Sequence, residues 1–158
     1  MVTPGQIRIA RIFISPGHNY FGHNDQPAGI HPTVELLEVE CVAGKGLMGD
    51  RFFAYKDDFK GQATFFSWDV FEDVCRGLGV AGKSPGVTRR NLITRGVELN
   101  TFIGREFEVQ GVQFLGVSEC KPCHWMNEAI GPGAEAAMQG RGGLRAKILT
   151  DGKVRVDI

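Results

Sequence analysis

Two cysteines three positions apart are the residues most suggestive of chemistry in this sequence. The segment ECKPCHWM contains Cys120 and Cys123, and His124 follows the second cysteine. The pattern C-x-x-C-H is typical of covalent haem attachment, but the same residues could form half of a zinc site, a redox dithiol or a single functional thiol. Zinc would need a second ligand pair, and Cys41 and Cys75 each stand alone in the sequence.

A single functional thiol at Cys123 is the interpretation that we favour. Pro122 restricts the backbone before it, and the thiol follows a predicted strand, where functional residues tend to collect. Nearby cationic groups favour the nucleophilic, metal-binding thiolate. Cys120 either resolves a disulfide or persulfide formed on Cys123 or only packs, and the sequence leaves both open. Cys41 and Cys75 are interpreted as small buried residues of a strand and a helix.

Three basic clusters form a candidate anion site. They are the GDR of 49–51 after a glycine-rich stretch, the RRN of 89–91, and the RGGLR of 141–145, which we interpret as a flexible element. The planar fork of arginine suits bidentate binding of phosphate, and glycines let backbone N–H groups approach an anion. The GKGLMGD stretch is not a phosphate-binding Walker loop, because no GK[ST] closes it.

The histidines give a weaker signal. His18, His23 and His31 lie in a turn-rich stretch, 15–32, which predicts a long loop. Their spacing is not a usual metal pair, so we interpret them as loop or capping residues. His124 neighbours the candidate thiol, but its role stays open because adjacent side chains on an extended segment point apart.

Composition predicts an ordinary globular protein of one domain, 1–158. The chain is 42% hydrophobic and 23% charged, with 18 basic and 18 acidic residues. This balance argues against nucleic acid as a partner. No apolar run approaches the ~20 residues that span a membrane, and the first residues lack the pattern of a signal peptide. We therefore expect a cytoplasmic protein without membrane contact, whose cysteines stay reduced.

The elements that must position these residues are mostly short strands. Alternating apolar residues predict strands over 7–14 and 33–43, and a short buried strand over 61–67. Two hairpins are predicted, one turning at Gln110-Gly111 and one at Asp151-Gly152. A helix capped by Ser67 follows the buried strand, and a second short helix is expected within 127–139. The fold class is mainly β (α+β), closed or nearly closed, with two short helices.

The order of several motifs resembles the MOSC domain, named for the C-terminal part of molybdenum cofactor sulfurase. GLMGDRF, GQATFFS, RRNLITRGVELNTFIGREFEVQGVQF, CKPC and GGLRAKIL occur in that order over about 35–156, and SPGHNYFGHN resembles the opening of small stand-alone members. The resemblance implies a β-barrel-like fold that binds a pterin-type molybdenum cofactor. The family's cysteine, a molybdenum ligand or a proposed persulfide acceptor, corresponds to Cys123. Its cofactor-binding motifs correspond to Gly49, Asp50, Arg51, Arg90 and Asn91.

The resemblance implies a small anionic cofactor as ligand, and we place Arg145 of the third basic cluster among its binding residues. The expected role is cofactor or sulfur handling. One alternative is a molybdenum oxidoreductase that takes electrons from a partner protein and reduces N-hydroxylated compounds. Another is a persulfide carrier without molybdenum, loaded by a cysteine desulfurase. Pyridoxal phosphate is not expected, because the chain has no room for the aminotransferase-like part that binds it.

Overall fold

The computed structural model describes residues 7–17 and 32–157, which form ten strands, three α-helices and two 3-10 turns. Most of the predicted loop 15–32, with its three histidines, lies outside these residues. The strands are β1 Arg8–Ile14, β2 Val34–Leu36, β3 Glu38–Val42, β4 Gly46–Leu47, β5 Ala63–Ser67, β6 Leu92–Arg95, β7 Glu106–Val109, β8 Val112–Glu119, β9 Leu144–Ile148 and β10 Gly152–Arg155. The helices are α1 Trp68–Leu78, α2 Met126–Ala129 and α3 Ala134–Ala137, and the 3-10 turns are Pro85–Thr88 and Leu99–Phe102.

The strands form two sheets. The large sheet has the order β2-β1-β6-β5-β9-β8-β7, and the small sheet the order β10-β3-β4. β5 and β6 are parallel and are joined through α1, as a parallel pair requires a crossover. The mainly β class with a few helices is confirmed. In the described part of the chain the sheets do not close on themselves, so the predicted closed or nearly closed barrel is not confirmed.

The large sheet separates two apolar clusters. Phe65 of β5 and Leu92 of β6 face the cluster shared with the small sheet, whereas their neighbours Phe66 and Ile93 face the cluster under the helices. This alternation follows from the period of two in a strand. All five residues of β5 are buried, which confirms the buried strand predicted from GQATFFS. The buried central strands therefore hold in place the residues that follow or precede them at the strand ends.

Helix α1 begins where the predicted cap at Ser67 places it. The Ser67 side chain accepts a hydrogen bond from the N–H of Val70, and Gly79 ends the helix in the left-handed conformation with φ of 69°. The first hairpin is also confirmed, with φ of 53° at Gln110 and 87° at Gly111. None of the described helices is both long and apolar enough to cross a membrane.

Three predictions about elements are wrong. The predicted strand 33–43 is two strands in different sheets, interrupted at Leu37, which is 82% exposed. The predicted hairpin at Asp151-Gly152 does not form, because β10 pairs with β3 of the small sheet instead of β9. The single helix expected within 127–139 is two separate turns, α2 and α3, because Gly133 adopts a φ of 94° between them.

Candidate functional site

Strand register brings the polar residues of the site into one row. Arg145 of β9 pairs with Thr64 of β5 on one side and with Ser118 of β8 on the other. Asn91, just before β6, donates its N–H to the carbonyl of Thr64 at 3.1 Å. The row lies beside the end of β8, from which the chain runs into Cys120 and Cys123. Segments far apart in the sequence thus meet at one edge of the central strands.

A pocket of about 180 Å³ opens beside this row. Five cationic side chains line it, and no carboxylate is among its described lining residues: the cations are Arg51, Arg89, Arg90, Lys121 and Arg145. The chain as a whole has no net charge, so this concentration of positive charge is local. Such a pocket favours an anionic ligand, since a concave wall of one sign focuses the electric field.

The two cysteines line the same pocket but differ in exposure. Cys123 is exposed, whereas Cys120 is 6% exposed. Cys120 is held by its backbone, whose N–H donates to the carbonyl of Gly143 at 2.8 Å. A Cβ on Gly142 would lie 2.3 Å from the carbonyl oxygen of Cys120. The glycine pair therefore permits a close approach of two backbones, and Leu144 and Arg145 of the predicted flexible element lie in β9.

Arg90 holds the same cysteine-bearing turn. Its Nη2 donates to the carbonyl of Cys120 at 3.0 Å, its Nε to the carbonyl of Gly142 at 3.0 Å and its Nη1 to the carbonyl of Thr88 at 3.1 Å. The residue is 8% exposed and lines the pocket. Three of its five N–H donors are thus committed to the backbone, which leaves two that can meet a ligand.

Asp50 and Asn91 form a buried network behind the pocket wall. The Asp50 carboxylate accepts from the N–H of Ser15 at 2.9 Å, and the Asn91 amide group donates to the carbonyl of Phe13 at 3.0 Å. The Asn91 carbonyl oxygen accepts from the Thr64 hydroxyl at 2.9 Å. Neither Asp50 nor Asn91 is among the residues that line the pocket. Both residues therefore position the site without facing it.

Gly49 and Arg51 flank that aspartate. Gly49 has a φ of 89°, and a Cβ there would lie 3.0 Å from Ile14 Cδ1, so the turn needs glycine. Arg51 lines the pocket, 3.4 Å from the Asp50 carboxylate and with its guanidinium carbon 4.5 Å from the centre of the Phe52 ring. Burial lowers the pKa of Arg51, Asp50 opposes that shift, and the neighbouring Arg90 adds to it.

A match to a family model shows which family this fold belongs to. The model of the MOSC domain matches residues 61–157, which include Arg90, Asn91, Cys120, Cys123 and Arg145. The chain belongs to the MOSC domain family. The matched segment begins after the turn that contains Gly49, Asp50 and Arg51, so these three join the site through the structure.

Solved structures share the fold of this MOSC chain. The YuaD protein of Bacillus subtilis superposes with a TM-score of 0.70 at 18% identity, over 95% of this chain and 91% of YuaD. YiiM of Geobacillus stearothermophilus gives a TM-score of 0.67 at 12% identity, over 94% and 71% of the two chains. YiiM of Escherichia coli gives 0.61 at 19% identity, and the chain spans 66% of it. A search of curated proteins found no match.

The MOSC site includes residues that sequence reasoning missed. Phe52, Phe59 and Thr64 line the pocket. Arg89 belonged to a predicted basic cluster but was not selected as a cofactor-binding residue; it adopts a φ of 61°, and its Nη2 donates to the carbonyl of Gly17. The run FFAYKDDF directly after the GDR turn was the available signal for the two phenylalanines.

The other candidate residues lie apart from the pocket lining. Cys41 is fully buried, and burial raises the pKa of its thiol to about 12. Cys75 is half-buried on α1, and burial raises the pKa of its thiol as well. His124 is exposed, with its ring centre 6.2 Å from that of Trp125. Within residues 7–17 and 32–157, no three His, Cys, Asp or Glu side chains are grouped to hold a metal ion.

Proposed function

We propose that this MOSC chain binds a pterin-type molybdenum cofactor in the cationic pocket and acts in cofactor or sulfur handling in the cytoplasm. The carrying observation is that an exposed thiol, Cys123, shares one pocket with five cationic side chains. A thiolate is a soft ligand that suits such a metal, and arginines suit a phosphate.

The donor set fits a metal that arrives already chelated. A bare metal ion needs several protein ligands, and the described residues supply no group of three. A cofactor that brings its own sulfur ligands needs one more from the protein, which Cys123 would provide. The bound cofactor would supply the metal centre and an anionic phosphate. Arg51 and Arg145 would hold the phosphate, while Gly49, Asp50 and Asn91 would keep the wall in shape.

The molybdenum content of the purified protein tests this proposal. Wild type and Cys123→Ser would be produced in a host that makes the cofactor, with Cys75→Ser as the matched control because Cys75 is a half-buried thiol outside the pocket. We expect near-stoichiometric molybdenum in wild type and in the control, and almost none in Cys123→Ser. Absence of molybdenum from wild type would contradict the proposal, and full loading of Cys123→Ser would remove Cys123 as ligand.

A persulfide carrier is the second candidate, and it is favoured by the presence of both thiols in one pocket. A cysteine desulfurase would pass its persulfide sulfur to the Cys123 thiolate and regain its own thiol. Cys120 could then attack the inner sulfur of Cys123, which releases hydrosulfide and leaves a Cys120–Cys123 disulfide. Incubation with a desulfurase should add the mass of one sulfur atom to Cys120→Ala, which cannot resolve the persulfide. Wild type should show either that added mass or the loss of two hydrogens that marks the Cys120–Cys123 disulfide, and Cys123→Ala should show neither. An unmodified wild type would contradict this role.

The oxidoreductase alternative stays a prediction. Reduction of an N-hydroxylated compound would require a partner protein that supplies electrons. Turnover of a hydroxylamine with a supplied electron donor would support it.

A further inference from the structure

An aromatic cluster stands at the pocket on the loop between β4 and β5. We call residues 51–60 the aromatic loop. Within it, the ring centres of Phe52 and Phe59 are 5.1 Å apart, and Tyr55 lies 5.3 Å from Phe52 and 5.0 Å from Phe59. Phe52 and Phe59 also line the pocket. The pocket therefore has an aromatic wall beside its cationic wall.

The exposure of these rings is exceptional for this protein. Every described phenylalanine outside the aromatic loop is buried, and most belong to the two apolar clusters. The three in the loop, Phe52, Phe53 and Phe59, stay half-buried and belong to neither cluster. Apolar rings kept together at the mouth of a pocket indicate a ligand surface, because large side chains are otherwise placed in the core.

An ion pair and a backbone hydrogen bond connect the aromatic loop to the rest of the fold. The Lys147 ammonium lies 2.7 Å from the Asp58 carboxylate, and the N–H of Ala54 donates to the carbonyl of Lys45 at 3.0 Å. Both Ala54 and Asp58 adopt positive φ, at 55° and 53°. The Lys56 ammonium lies 5.4 Å from the centre of the Phe59 ring. A preorganised wall of this kind binds a flat partner with little ordering cost.

We infer that the Phe52 and Phe59 rings of the aromatic loop stack against a planar heteroaromatic ring of the ligand, while the cationic wall holds the ligand's anionic group. This inference rests on the proposed function, since it concerns the same pocket, and it defines the ligand class as a ring-bearing phosphate. Stacking on aromatic side chains accepts many rings because each presents a flat π face. A pterin and a purine nucleotide both have this chemistry, and binding measurements distinguish them.

The test uses three small probes and does not require molybdenum. The probes are 6-carboxypterin, guanosine monophosphate and ribose 5-phosphate, which has the phosphate but lacks the ring. Binding to wild type, Phe59→Leu, Phe59→Tyr and Phe53→Leu would be measured by titration calorimetry, and quenching of pterin fluorescence would report stacking. Phe53→Leu is the matched control, because Phe53 lies in the same loop but not among the pocket-lining residues.

We expect at least one ring probe to bind wild type more tightly than ribose 5-phosphate. The pterin should bind best if the natural ligand is a pterin cofactor, and guanosine monophosphate should bind best if it is a nucleotide. Phe59→Leu should weaken the binding of that probe about tenfold and leave the binding of ribose 5-phosphate unchanged. Phe59→Tyr and Phe53→Leu should bind all three probes as wild type does. Equal binding of all probes to wild type, no effect of Phe59→Leu, or equal weakening of ribose 5-phosphate would overturn the inference. Molybdenum loading of wild type without ring binding would leave the proposed function standing and remove only this inference.

Discussion

The site has a buried inner layer and an outer layer that lines the pocket, and the polar groups of the two layers have different partners. In the inner layer, Asp50 and Asn91 are 5% and 2% exposed, and their oxygen and nitrogen atoms bond to backbone and side-chain partners. In the outer layer, Arg145 and Cys123 face the pocket and are more exposed. The contrast teaches that a residue of a predicted cofactor-binding motif need not line the pocket. Burial together with a full set of hydrogen bonds marks the residues that only position others.

Arg90 lies between these two layers. It lines the pocket, yet three of its N–H groups donate to the carbonyls of Thr88, Cys120 and Gly142. It connects the inner layer to the cysteine-bearing turn of the outer one. Its substitution should therefore affect both stability and ligand binding, unlike substitution in either layer alone.

The largest expected effect on stability is that of Asn91→Ala. The change removes the Asn91 side chain from the Phe13 carbonyl and from the Thr64 N–H and O–H donors, and a buried polar group left unpaired costs about 1–3 kcal/mol. We expect the free energy of unfolding, measured with denaturant, to fall by about 3 kcal/mol or more. Asn100→Ala is the control, since the exposed Asn100 amide makes one bond, to the Gly140 carbonyl. Equal losses of unfolding free energy in the two variants would contradict the positioning role proposed for the inner layer.

A smaller effect is expected for Arg90→Lys, which keeps the charge but loses the planar fork. Lysine cannot reach three carbonyls in that arrangement, so the free energy of unfolding should fall by about 2 kcal/mol, and phosphate should bind more weakly. Arg11→Lys is the control, because Arg11 makes its two bonds to Glu35 at the surface. If Arg90→Lys keeps wild-type stability and affinity, the carbonyl contacts do not position the turn and only the charge matters.

The smallest effect on stability is expected for Arg145→Gln, which should change the free energy of unfolding by less than about 0.5 kcal/mol. Its effect should appear with ligand. Inorganic phosphate should raise the thermal midpoint of wild type, as any ligand of the folded state does, and raise that of Arg145→Gln less. Arg76→Gln, an exposed change on α1, should respond as wild type does. If phosphate raises the thermal midpoint of Arg145→Gln as much as that of wild type, Arg145 does not bind the phosphate.

Features determined by local chemistry could be predicted from the sequence. The cap at Ser67 and the turn at Gln110-Gly111 each depend on neighbouring residues, so their patterns suffice. Cys123 and the basic clusters were recognised from their residue types and local spacing, and the resemblance to a family added the order of the motifs. Arg51, Arg90 and Arg145 line one pocket, and their role in binding a cofactor stays a prediction.

Features that depend on distant partners could not be predicted in the same way. Asp151-Gly152 has the composition of a hairpin turn, but the Asp151 carboxylate accepts from the N–H of Ala43, 108 positions away, and β10 joins β3. Gly142 was interpreted as part of a flexible element, because the sequence does not show that the Cys120 carbonyl lies against it. The aromatic loop was missed because phenylalanines usually indicate core, and only the fold shows that these three remain half-buried.

The pairing of β3 with β10 also has a consequence for the order of folding. Contacts between distant segments form slowly, because the chain entropy of a large loop must be lost first. The turn that contains Gly49 and Asp50 follows β4, which pairs with β3 in the same small sheet. Docking of β10 should therefore complete the scaffold behind that turn. We expect a folding molecule to acquire ligand affinity late, after its helices have already formed.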